Sequence, residues 1–155
     1  QLGFILQHVL ERRILNSVVW FKPNAQPNIT ARTLTESTEQ IIWAVNETPA
    51  RATGWTFNYW DAKEMNGGKQ MRNLWEFPVT PQRERSNGKH PSQKPLSLLE
   101  RAVLLATQPG ELVLDPFGGA GTLAVAAQKH GRDWLLIESV EEYADIARRR
   151  LEAAG

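Results

Sequence analysis

Asp115, Gly118, Gly119, Gly121 and Glu138 are the residues of this sequence whose types and spacing suit them best to chemistry. The apolar run "LVLD" ends in an acid, a proline and a phenylalanine, three glycines follow within four residues, and an alanine-rich segment begins at once. Where a strand of a parallel sheet turns into a helix, free backbone N–H groups point at whatever lies beyond the strand's carboxyl end. Glycines there let a ligand approach the main chain and accept backbone angles closed to other residues. Glu138 comes 17 residues after Gly121, close to the spacing of about 20 at which an acid at the next strand end can take a pair of ribose hydroxyls. The pattern suits a nucleoside-containing ligand; a glycine turn used only for tight packing is the structural alternative.

The order Phe117-Gly118-Gly119-Ala120-Gly121-Thr122 does not match a dinucleotide fingerprint, because its third glycine comes too soon. It also lacks the Gly-Lys-Ser/Thr of a triphosphate loop. Asp115 at the strand end would repel a pyrophosphate, so a nicotinamide-dependent oxidoreductase is disfavoured. A cationic or zwitterionic ligand tolerates an acid there, and S-adenosylmethionine carries both a sulfonium and an ammonium.

The elements that must hold these residues are legible from periodicity. "HPSQKPLSLLERAVLLATQPG" puts Pro95 at a first helical position, sets Leu96, Leu99, Val103 and Ala106 on one face, and stops at Pro109-Gly110. "ELVLDPF" reads as a strand, "AGTLAVAAQKHG" as a helix ended by Gly131, "DWLLIE" as a strand and "SVEEYADIARRRLEAA" as a helix. In that last helix Ser139 and Glu142 form a capping-box pair, and Arg148, Arg149 and Arg150 crowd the last turn. Alternating strands and helices imply parallel pairing and an α/β class. Upstream, "SVVWF" and "EQIIWAV" read as buried strands separated by a polar, proline-containing loop. Residues 47–87 have weak periodicity and read as irregular, with a short strand near "NLWEFPV".

At 155 residues the chain can bury roughly two-thirds of its unfolded surface around one core. No apolar run spans a bilayer, and the amino end lacks a signal-peptide pattern, so no membrane segment and a cytoplasmic address are expected. The sequence has no cysteine, which removes disulfides, zinc thiolates and cysteine nucleophiles. Net charge is +1, yet from Asp61 to Lys94 seven Lys or Arg face four acids. Five of six tryptophans lie between Trp20 and Trp75. Trp20 and Trp43, in strand-like runs, read as core; interleaved cations could meet phosphates.

"LVLDPFGGAGTLAVAAQKHGRDWLLIESVEEYADIARRRL" resembles the cofactor region of bacterial DNA amino-methyltransferases, which methylate adenine N6 or cytosine N4. "HPSQKP" is similar to their His-Pro-Thr-Gln-Lys-Pro element, with Ser92 in place of Thr. The order of the two pieces resembles the β group, as do "SVVWFKPNAQPN" and "STEQIIWAV". The resemblance implies a Rossmann-like S-adenosylmethionine-dependent methyltransferase fold, a mostly parallel sheet flanked by helices. It implies one domain over residues 1–155, with a target-recognition region at 22–87 and a cofactor-binding region at 88–155.

Carried over by position, it implies that Asp115, Pro116, Phe117, Gly119, Gly121 and Thr122 form the S-adenosylmethionine pocket. Glu138 would hold the ribose, with Ser92 and Lys94 near the methionine carboxylate. Double-stranded DNA is the implied partner, with Arg32, Arg51, Lys69, Arg72, Arg83 and Arg85 as candidate contacts and an extruded base as substrate. The family's catalytic Asp/Asn/Ser-Pro-Pro-Tyr/Phe/Trp tetrapeptide has no counterpart: no Pro-Pro pair occurs. The expectation is a methyltransferase truncated at its amino end, inactive alone and marginally stable. A degenerate, non-catalytic nucleic-acid-binding module is the alternative.

Overall fold

The computed structural model describes residues 12–46 and 54–155. Strand β1 (Arg13–Phe21) pairs antiparallel with β2 (Thr38–Val45), with a register shift between Ile14 and Asn16. On its other side β1 pairs in parallel with the short β3 (Leu74–Glu76). A second sheet consists of the parallel pair β4 (Leu112–Asp115) and β5 (Asp133–Leu136). The described strands therefore form two sheets, in which two of the three pairings are parallel. Between β2 and β3 lies α1 (Tyr59–Met65), and a 3-10 turn at Gln82–Arg85 precedes α2 (Leu96–Ala106). Helices α3 (Thr122–Lys129) and α4 (Glu141–Ala154) follow β4 and β5 respectively.

The three-stranded sheet and α2 share a core of Val18, Trp20, Trp75, Leu98 and Leu105, joined by Ala62 of α1. Trp20 and Trp75 are register partners on β1 and β3, and both are buried. Each keeps its indole N–H satisfied, Trp20 by the Phe77 carbonyl at 2.8 Å and Trp75 by that of Arg72 at 3.0 Å. Trp75 thus packs rather than offering a stacking surface, whereas Trp60 is 73% exposed. On α2 the inward residues are Leu98, Val103 and Leu105; Ala106, expected on the apolar face, is exposed. Helix α2 begins one residue later than expected, with Pro95 as its N-cap.

Helix α3 buries Ala124, Val125, Ala126 and Ala127 almost completely. Its alanines, with Thr122 and Val125, let α2 and α4 pack against it. The capping box expected at Ser139 does not form: α4 starts after Val140, which is extended and makes no side-chain cap. The Glu138 carboxylate instead accepts the Val140 N–H at 2.9 Å. Helix α4 runs on to Ala154, so the three arginines lie in mid-helix rather than its last turn. Among the described residues no helix is long and apolar enough to cross a membrane.

Candidate functional site

The loop after β4 is folded by its own backbone. Ile137 donates its N–H to the Asp115 carbonyl at 2.9 Å, Gly118 donates to Ile137 at 2.9 Å, and Gly121 to Gly118 at 2.8 Å. Two exchanges with the chain leaving β5 thus fix the strand end, and a tight turn follows. Gly119 and Gly121 have φ of +52° and +71°, in the left-handed region that glycine enters without a Cβ penalty. A Cβ on Gly121 would stand 2.8 Å from that of Ala147, so this glycine sets how closely α4 approaches α3. A Cβ on Gly119 would come within 3.2 Å of the His90 ring.

This loop forms one wall of a cleft of about 240 Å³. Asp115, Phe117, Gly119 and Thr122 line it together with Ser92 and Lys94 from the opposite loop. Six of the nine residues expected to hold a cofactor therefore converge. Pro116 and Gly121 are not among its lining residues, and Gly121 has the packing role just described. Glu138 is not among the lining residues, and its Oε2 accepts the Gly119 N–H at 2.7 Å. Hydrogen bonds from Val140 and then Gly119 hold its carboxyl below the usual carboxylate range. Phe117 is 89% exposed, an aromatic face that among the described residues is left to the cleft and solvent.

The opposite wall is anchored by groups to which sequence reasoning gave no role. Glu84 accepts the Leu96 N–H at 2.8 Å through its side chain and the Gln93 amide at 2.9 Å through its carbonyl, and Thr80 donates to the Gln93 carbonyl. These bonds tie "HPSQKP" and the first residue of α2 to the 3-10 turn at Gln82–Arg85 and to Thr80. His90 lines the cleft, accepts the Ser92 N–H on Nδ1 at 3.2 Å and meets Tyr143 edge-to-face at 4.3 Å. Leu99 and Leu123 supply apolar lining. A lone histidine beside a proline carries no local signal of such a position, and only the fold supplies it. Lys94 reaches the cleft with its ammonium 2.6 Å from Glu39 Oε2.

The expected DNA contacts are dispersed. Arg32 and Arg83 are exposed. Arg85 is half-buried and shares a cavity with Gln26, Lys89, Pro91 and Tyr143. Lys69 and Arg72 line a separate cavity with Arg101 and Trp75, sharing no residue with the cleft. Arg101 stacks on Phe77 and Trp75, at 4.3 and 5.5 Å from the ring centroids. Arg51 lies outside the described residues.

A parallel strand, a glycine turn into a helix and an acid at the next strand end define a Rossmann-like α/β ligand-binding protein. Solved structures share this fold: M1.HpyAVI in its SAM complex superposes with a TM-score of 0.71 at 30% identity, over 95% of this chain and 69% of that one. The cytosine-N4-specific PvuII DNA methyltransferase superposes at 0.77 over 96% of this chain and 54% of its own, with 21% identity, a likeness of fold. The N6/N4 methyltransferase family model, described as DNA methylase, matches residues 2–149, and the chain belongs to that family. It is 46% identical over 142 residues to the type II methyltransferase M2.DpnII of Streptococcus pneumoniae, covering 91% of this chain and 52% of that protein. To M2.LlaDCHI of Lactococcus lactis subsp. cremoris it is 44% identical over 140 residues, covering 90% and 51%. The chain spans about half the length of these curated relatives.

Proposed function

We propose that this chain binds S-adenosylmethionine in the cleft between "HPSQKP" and the β4 loop. The methyl group so held would serve transfer to an amino nitrogen of DNA, adenine N6 or cytosine N4. The observation that carries the reading is the charge arrangement of the cleft: an acid, Asp115, on one wall and a cation, Lys94, on the other. A zwitterionic amino-acid moiety matches that arrangement with its ammonium and carboxylate, whereas a pyrophosphate does not. The exposed Phe117 offers an apolar face, and Glu138 stands at the strand end where ribose hydroxyls are taken. When bound, the cofactor supplies an electrophilic methyl on sulfur. The chain's own residues bind and orient it: Lys94 and Ser92 toward the carboxylate, Asp115 toward the ammonium, Glu138 toward the ribose.

Methyl transfer itself belongs to the longer protein represented by the relatives. A base amine must be held and its developing charge stabilised, and this sequence has no Pro-Pro tetrapeptide to do so. The chain alone is therefore a cofactor-binding and DNA-contacting half that transfers no methyl group. Calorimetric titration should give one S-adenosylmethionine site and no uptake of a nicotinamide dinucleotide; the reverse preference would overturn the cofactor assignment. Incubation with labelled S-adenosylmethionine and duplex DNA should incorporate nothing. Labelled DNA produced by the pure chain would overturn the division of labour.

A further inference from the structure

The cation facing the cleft is not free-standing. Lys94 Nζ lies 2.6 Å from Glu39 Oε2, and the other oxygen of that carboxylate is 3.3 Å from Lys22 Nζ. The register of the β1–β2 hairpin brings this about: Trp20 pairs with Glu39, Phe21 with Thr38, and Lys22 donates its N–H to Ser37 at 2.7 Å. Both ammonium groups stand over the ring of Trp20, at 5.5 and 5.6 Å from its centroid. That ring is buried and pinned by its bond to Phe77, so it forms a fixed aromatic floor. Lys22 is largely covered, with 14% of its side chain exposed against 40% for Lys94, and only Lys94 lines the cleft.

We infer that Glu39 is a positioning residue for the ligand's carboxylate: braced by Lys22 and seated above Trp20, it holds the Lys94 ammonium toward the cleft. The inference rests on the cofactor reading above. An ammonium has three N–H groups, and among the described residues Glu39 accepts the one hydrogen bond that Lys94 makes. The remaining donors are available to a carboxylate in the cleft. Lysine has a long flexible stem, and a cation held in place before binding loses less freedom when the ligand arrives. Burial works against ionisation of Glu39, but the bonds from Lys94 and Lys22 outweigh it and keep the carboxyl below its usual range. The brace is thus charged under ordinary conditions. Lys22 and Glu39 lie in the two stretches, "SVVWFKPNAQPN" and "STEQIIWAV", that resemble the β group, but the three charges come from separate segments and only the fold brings them together.

The test uses two ligands that share a nucleoside. S-adenosylhomocysteine carries the amino-acid carboxylate; 5′-methylthioadenosine lacks it. Titrated into E39Q, the first should lose about tenfold in affinity, the scale of one charge-assisted hydrogen bond, while the second stays within about twofold. K94M should show the same selectivity, and the double variant should bind no more weakly than K94M alone. E39D, which keeps the charge, should recover part of the loss, a recovery that packing alone would not give. Unchanged binding of S-adenosylhomocysteine to E39Q, equal losses for both ligands, or losses that multiply in the double variant would each overturn the inference. If the unaltered chain binds neither ligand, the cofactor reading itself fails, and the inference falls with it.

Discussion

At the scale of single residues, the glycine loop contains two kinds of glycine that look alike in sequence. Gly119 faces the cleft beneath His90, whereas Gly121 faces Ala147 of α4. A methyl group on Gly121 meets both a left-handed backbone, φ +71°, and a backbone-anchored neighbour at 2.8 Å. Gly121→Ala should therefore lose roughly 2–5 kcal/mol, the sum of about 1–2 for the left-handed backbone and about 1–3 for overpacking. Gly110 has φ +80° and open space around it, so Gly110→Ala should lose only the backbone part, about 1–2 kcal/mol. Urea midpoints of the two variants compare them, and equal losses would show that the α3–α4 approach does not depend on Gly121. The glycine pattern was legible as a strand-to-helix turn, but which glycine faces the cleft and which the packing depends on what the fold brings alongside.

At the scale of elements, Arg150 shows how a helix can be read correctly and its side chains wrongly. The run of three arginines suggests dipole complementation, yet α4 continues past it and turns Arg150 inward. Its guanidinium donates to the Ala120 carbonyl at 2.5 Å and to the Thr122 hydroxyl at 2.8 Å, tying α4 to the glycine loop. Burial pushes its pKa down from the usual arginine value. Arg150→Met keeps the aliphatic stem and removes both bonds; it should cost about 2 kcal/mol, because two groups are left unpaired inside. Arg148→Ala, which removes an exposed partner of Glu141 and Asp145, should leave stability nearly unchanged. Chemical unfolding of the two variants distinguishes the roles, and similar small losses would remove Arg150 as a tie. Helix α1 was missed for a related reason. It buries only Ala62 and so has no amphipathic signature. It is held from outside, by Asn58, whose side chain donates to the carbonyls of Leu104 and Thr107 at 2.6 and 2.9 Å.

At the scale of the molecule, one face of the β4–β5 pair is left uncovered among the described residues. Leu112, Leu114, Leu135 and Ile137 are all more than half exposed, and Leu114 is the register partner of Leu135. Parallel sheets are ordinarily covered on both faces, and here α3 packs against the other one. An apolar face of this kind favours association. The chain should therefore bind a hydrophobic dye and self-associate with rising concentration, whereas L114K with L135K should abolish both and shift stability by no more than about 0.5 kcal/mol per site. Sedimentation velocity measures this, and a dye-negative monomer at all concentrations would contradict it. Taken alone, the sequence determined the α/β class, the late helices and strands and the glycine loop with its acid, because periodicity and turn chemistry act between near neighbours. Tertiary structure decided that "HPSQKP" faces that loop across one cleft, that His90 sits over Gly119, and that Lys22, Glu39 and Lys94 meet above Trp20. Those contacts join residues far apart in the chain, and their geometry is set by strand register and helix packing, which no local pattern encodes.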